Sequence, residues 1–219
     1  MPLNEKTFLF LTDLQTHNNR EWFNDNKERY LEAKADTLQL IEELLEEIAH
    51  FDPEIVKINA EKTLFRIYRD TRFSKDKSPY KTNFGAAIGM GKSSPKAGYY
   101  LHIEPGKSFL AGGFHRPEST LLKKIRQDIV ALSDDFKALI THPNFRESFQ
   151  TLDTELQLSR VPQGFDKDHP MKEFLKLKSF TARLPLSDYE LQTLPPKHLA
   201  NHYKTLKPLN DFINGAIDA

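Results

Sequence analysis

Between Phe84 and Phe114 the apolar residues recur at every second position, while before Phe51 and after Pro117 they recur at helical spacing. This change of period constrains the fold most. A period of two sends alternate side chains to opposite faces of a strand, and the longer period lines up one face of a helix. Phe84, Ala86, Ile88 and Met90 alternate with Asn83, Gly85, Ala87 and Gly89. Tyr99, Leu101 and Ile103 alternate with Tyr100, His102 and Glu104, and Phe109–Phe114 follows Pro105-Gly106. Connectors this short predict antiparallel hairpins. With β-rich Thr63–Tyr68 as a first strand, residues 63–115 are expected to form a four-strand meander. Phe180, Ala182 and Leu184 mark a fifth strand over 179–186. Proline cannot take the positive φ of the favoured hairpin turns, so the register across Pro105-Gly106 stays open by one residue.

The flanking segments predict helices. Over 5–51, Phe8, Leu11 and Leu14 start the pattern, His17-Asn18-Asn19 breaks it, and Leu38, Ile41, Leu45 and Ile48 continue it as one apolar stripe. Asp52-Pro53 ends it, because a residue before proline avoids the α conformation. Residues 118–152 carry Leu121, Leu122, Ile125, Ile129 and Leu132, with short helices at 134–141 and 144–152. A last helix is expected over 197–217, interrupted at Pro208. The expectation is one α+β domain over 1–219: an antiparallel meander of four to five strands flanked by N-terminal, middle and C-terminal helices.

The chain has 219 residues, 38% of them hydrophobic with 16 Phe, enough apolar volume for a packed core. It has no cysteine, which excludes disulfides and thiolate catalysis and suits a reducing compartment. The first residues lack a basic stretch followed by an apolar one, and no apolar run reaches the length of a membrane span. A cytoplasmic protein without a membrane partner is expected.

The 31 basic and 31 acidic residues cancel overall but not locally. Residues 32–54 carry eight carboxylates against one lysine, and residues 61–81 carry seven cations against three carboxylates. The second stretch is where a negative partner would be drawn. It contains Arg66, Arg69, Asp70, Arg72, Phe73, Asp76, Lys77 and Tyr80. On a strand, Arg66, Tyr68 and Asp70 share one face, and Phe65 and Ile67 the other. Guanidinium groups suit phosphates and carboxylates because their donors form a fixed fork. The segment reads as an anion pocket, with Arg66, Arg69, Arg72, Lys77 and Tyr80 as ligand-binding candidates and Asp70 as an orienting group or base. It reads equally as an ion-pair network bracing a loop.

The pattern Arg66-x-x-Arg69-Asp70-x-Arg72-Phe73-x-x-Asp76-Lys77-x-x-Tyr80 resembles the signature of a bacterial family, domain of unknown function 2461. Asn19-Arg20-Glu21-Trp22-Phe23, Gly98-Tyr99-Tyr100 and Gly112-Gly113 are similar to it as well. The resemblance spans most of the chain. It implies that the segment defines the family, and it implies no particular reaction.

His102 and Glu104 lie two apart with Tyr100 on the same strand face, a candidate acid–base pair or a solvated sheet surface. His198 and His202 have ligand spacing, but Leu199 stands where a zinc hydrolase carries glutamate, so neither metal nor cofactor is expected. The leading expectation is binding, with catalysis open, of a small phosphorylated or carboxylated ligand. A protein-interaction module using the acidic and basic faces is the alternative. Nucleic-acid binding ranks third, disfavoured by the neutral net charge.

Overall fold

The computed structural model describes residues 1–89 and 96–219. Among them are ten α-helices and a four-stranded sheet, an α+β architecture with helices flanking the strands in the chain. The helices are α1 (Glu5–Thr16), α2 (Arg20–Asp25), α3 (Lys27–Ala49), α4 (Ala60–Thr63), α5 (Ser119–Ala131), α6 (Ser133–Thr141), α7 (Pro143–Phe149), α8 (Lys172–Leu175), α9 (Asp188–Thr193) and α10 (Pro196–Asp218). The strands β1 (Phe84–Ile88), β2 (Gly98–Ile103), β3 (Ser108–Phe114) and β4 (Phe180–Leu186) pair in chain order. Met90, expected to extend β1, lies outside the described residues.

The chain gathers into two compact units. The first comprises Met1–Lys92, Tyr100–Leu110 and Pro185–Asn201. Its first two helices start where asparagines cap them: the Asn4 side chain accepts from Lys6 N–H at 2.9 Å, and Asn19 accepts from Trp22 N–H at 2.9 Å. Asp36 ties α1 to α3 by accepting from Asn4 N–H at 2.9 Å and from the Thr7 hydroxyl at 2.5 Å. The core of this unit is aromatic. Phe23 stacks on Tyr80 with ring centroids 3.9 Å apart, and Tyr30 lies 5.1 Å from Phe23 and 6.3 Å from Phe84. Removing a ring as buried as Phe23 costs about 3–5 kcal/mol.

The second unit comprises Ser93–Tyr99, Ala111–Leu184 and His202–Ala219. Phe136 centres it, 5.3 Å from Phe174 and 5.2 Å from Phe212. The buried Arg126 donates to the Leu177 carbonyl at 2.8 Å, and burial depresses its pKa. Gly113 is required here. Its φ is +110°, and a Cβ would lie 1.9 Å from the Phe180 carbonyl oxygen.

Two expectations are corrected. Thr63–Tyr68 is not a strand: Thr63 closes α4, and the rest makes only isolated antiparallel bridges, Leu64 to Ala86 and Tyr68 to Tyr80. Asn59 caps α4 and draws Thr63 into it, while Pro79 on the opposing segment has no N–H with which to continue a ladder. The last helix is also uninterrupted, with Pro208 inside it. Proline deletes one helical hydrogen bond. Tyr203, Leu206, Leu209 and Ile213 are buried on both sides of that point, and this packing keeps the segment helical.

The Pro105-Gly106 register is resolved by a turn of a different type. Lys107 N–H donates to the Glu104 carbonyl at 2.9 Å, and Gly106 has φ +71°. Proline at the second position and a positive-φ glycine at the third are the requirements of a type II turn. Phe109 therefore joins the face of Tyr100 and His102, stacking on His102 at 4.6 Å. Among the described residues no helix is long and apolar enough to cross a membrane.

Candidate functional site

The basic segment folds back on itself within the first unit. Arg69 N–H donates to the Pro79 carbonyl at 2.9 Å, and Lys81 N–H donates to the Ile67 carbonyl at 2.7 Å. Asn18 pins this hairpin to the turn before α2. Its amide nitrogen donates to the Tyr80 carbonyl at 3.0 Å and its oxygen accepts from Tyr80 N–H at 3.1 Å, so one side chain completes both backbone groups of one residue.

Beyond the bridge the loop is braced by its own side chains. Arg69 pairs with Asp76. Asp76 also accepts from the Ser78 hydroxyl at 2.5 Å and from Ser78 N–H at 2.9 Å. The Ser78 hydroxyl, the Ser78 N–H and then Arg69 hold this carboxyl far below the usual carboxylate range. Arg72 grips Asp70 with two guanidinium nitrogens, at 3.0 and 2.6 Å, and this lowers the Asp70 pKa. Lys77 donates to the Thr71 carbonyl at 2.9 Å.

A cleft of about 490 Å³ opens against this loop. Arg69, Asp76, Ser78 and Tyr80 border it from the segment, followed by Lys81, Thr82 and Asn83. Gln15 borders it from α1, Asn18 from the turn before α2, and Glu104, Pro105 and Lys107 from the type II turn. Three cations and two carboxylates thus meet in one polar space.

Behind Glu104 stands a hydrogen-bonded chain along β2. His102 Nε2 lies 3.0 Å from Glu104 Oε2, and Tyr100 Oη lies 3.2 Å from His102 Nδ1. The Asn83 amide nitrogen also faces Nδ1, at 3.5 Å. Two donors facing Nδ1 make it the acceptor, so Nε2 carries the proton and donates it to Glu104. Burial, and then the Glu104 charge, push the Tyr100 hydroxyl up to about 12, so it remains a donor. Gly85 makes room for that hydroxyl, since a Cβ there would lie 2.4 Å from it.

The structure therefore divides the residues that the sequence singled out. Arg69 and Tyr80 border the cleft, although the Tyr80 ring is buried against Phe23. Arg66, Arg72, Lys77 and Asp70 stand outside it. Of the acid–base candidates, Glu104 borders the cleft and His102 backs it. Lys81 and Lys107 were not singled out. Lys107 is set by the type II turn, which the Pro105-Gly106 pair encodes, whereas no local pattern around Gln15 signals its position. Of the two spaced histidines, His202 places its Nδ1 3.3 Å from Ser148 Oγ. Among the described residues no group of three or more His, Cys, Asp or Glu is placed to hold a metal ion.

The model of one protein family, described as a conserved hypothetical protein (DUF2461), matches residues 6–212. No curated protein and no solved structure matches the chain.

Proposed function

We propose that this chain, which belongs to the DUF2461 family, binds a small phosphorylated or carboxylated ligand in the cleft bordered by Arg69, Lys81 and Lys107. The observation that carries the reading is the convergence of three cations on one polar space of about 490 Å³. That volume is within the usual range for small-molecule sites.

The two carboxylates of the cleft already have partners. Asp76 is held by Ser78 and Arg69, and Glu104 by His102. Lys107 makes only a 3.9 Å contact with Glu104, and its side chain is 76% exposed. Three cations stand against these two carboxylates, so the cleft carries a net positive charge. Asn83 and Thr82 add neutral groups that would orient a ligand. The reading places the protein in the cytoplasm, where such metabolites are abundant and a chain without cysteine suits the redox state.

A thermal-shift screen of phosphorylated and carboxylated metabolites, run on the wild type and on Arg69→Met/Lys107→Met, tests the reading. A ligand that binds only the folded state stabilises it by mass action, by about 2.7 kcal/mol at a hundredfold excess over Kd, and so raises Tm. The expected result is a set of anionic hits on the wild type that vanish in the folded double variant. Hits that persist in that variant would place the ligand elsewhere.

A further inference from the structure

Glu104 borders the cleft with one of its two carboxylate oxygens committed to the fold. Oε2 lies 3.0 Å from His102 Nε2. Among the described residues Oε1 has one ion-pair contact, with Lys107 Nζ at 3.9 Å, too far for a hydrogen bond. The Glu104 side chain is 18% exposed, so little bulk water competes for that oxygen.

The partner behind Glu104 is fixed in place. The His102 ring stacks on Phe109 at an interplanar angle of 13°. Its Nδ1 faces the Tyr100 hydroxyl at 3.2 Å and the Asn83 amide nitrogen at 3.5 Å, so the imidazole proton stays on Nε2, against Glu104. The one lone pair of the neutral ring is thereby taken, and the ring has no place for a second proton. A proton reaching the carboxylate is received at Oε1, beside Lys107 on the border of the same cleft.

Orienting histidine, carboxylate and cation stand in sequence, and the spacing of the last two suits one chemistry. A base that takes a proton from carbon and a cation that receives charge on the adjacent carbonyl oxygen address neighbouring atoms of one molecule, each from about 3 Å. In direct contact the two groups would neutralise each other. At 3.9 Å both stay open to a C–H and a C=O lying side by side.

We infer that the cleft is catalytic, with Glu104 as the general base that removes the proton α to the carbonyl of a phosphorylated or carboxylated ketone. The inference rests on the reading of the cleft as an anion site, in which Arg69 and Lys81 hold the anionic end. The α C–H bond breaks and its proton passes to Glu104 Oε1. The electron pair left behind forms the carbon–carbon double bond of an enolate, and the carbonyl π pair becomes the negative charge on oxygen, beside the Lys107 ammonium. On return Glu104 gives a proton back to carbon and the carbonyl re-forms. No oxidant, reductant or second substrate is consumed. This is the enolisation step of an epimerase or isomerase. Glu104 is the catalytic residue, and His102 is a positioning residue behind it.

Deuterium uptake at the α carbons of dihydroxyacetone phosphate and of 2-oxoglutarate, followed by proton NMR with the full chain in heavy water, tests the inference. The wild type is expected to exchange at least one probe faster than buffer alone, and Glu104→Gln to lower that rate about a hundredfold or more. Glu104→Gln is expected to bind inorganic phosphate at least as tightly as the wild type, because a negative charge has left the cleft; its phosphate binding also reports that it is folded. His102→Leu is expected to lower kcat about tenfold with KM changed less than about twofold, and His102→Gln, which keeps a donor, to recover part of that loss. A wild type that binds phosphate but exchanges neither probe overturns the inference and leaves the anion site standing. A Glu104→Gln variant that exchanges at the wild-type rate overturns it too. A wild type that binds neither phosphate nor malonate overturns both readings.

Discussion

Arg69 and Asp76 are paired across the wall of the cleft, and Asp76 is in turn fixed by Ser78. An incoming anion must therefore share Arg69 with a carboxylate already in place. Asp76→Asn should raise the affinity for inorganic phosphate about twofold to fivefold, since an exposed pair holds its arginine weakly. Arg69→Met should lower it about tenfold or more. Calorimetric titration of both variants measures the two effects.

Asn18 satisfies both backbone groups of Tyr80. Asn18→Ala strands a partly buried N–H and C=O together, and the expected loss is about 2 kcal/mol in urea unfolding. Asn18→Asp keeps the acceptor and loses the donor, so its loss should fall between the two. Equal losses for both variants would show that only the contact to the Tyr80 carbonyl matters.

Gly85 is adjacent to the Tyr100 hydroxyl. Gly85→Ala should cost about 1–3 kcal/mol by forcing the hydroxyl off His102. Adding Tyr100→Phe removes the atom that the new methyl strikes, so the double variant should recover much of that loss. A double-mutant cycle in denaturant measures the coupling.

Tyr100 also sets an alkaline limit. Its hydroxyl titrates near 10 in the unfolded chain and at about 12 in the fold. Between those values the unfolded state releases a proton that the native state keeps. The contribution is fully present below pH 10 and is lost as pH rises toward 12, by about 3 kcal/mol. Tyr100→Phe should flatten the fall in stability measured by urea unfolding across that window. An unchanged slope would mean that another group is responsible.

The fold was legible where one physical pattern acted alone. Alternation marked β1 to β4, and the apolar stripes marked the long helices. The reading failed where two effects competed. Thr63–Tyr68 has strand composition, but the Asn59 cap and Pro79 left it with two isolated bridges. Pro208 signalled a break that burial of Leu206 and Leu209 overrode.

The site was half legible. Arg69, Tyr80, His102 and Glu104 stood out by residue type and spacing, and the structure brings them to one cleft or directly behind it. Arg66 and Arg72 stood out on the same grounds and are not among the residues that border it. Sequence spacing does not encode which arginine a nearby carboxylate captures, and here Asp70 takes Arg72. Gln15 of α1 and Asn18 of the turn before α2 are distant in the chain, and only tertiary packing brings them to the cleft.

The most direct test is a nitrogen-15 NMR titration of the wild type with inorganic phosphate and with malonate. Binding in the cleft predicts saturable shifts at the Arg69 side-chain N–H, at the side-chain amides of Gln15 and Asn83, and at the Lys107 backbone amide. Shifts confined to Arg66 and Arg72, or none with either anion, would contradict the assignment of this cleft as an anion site.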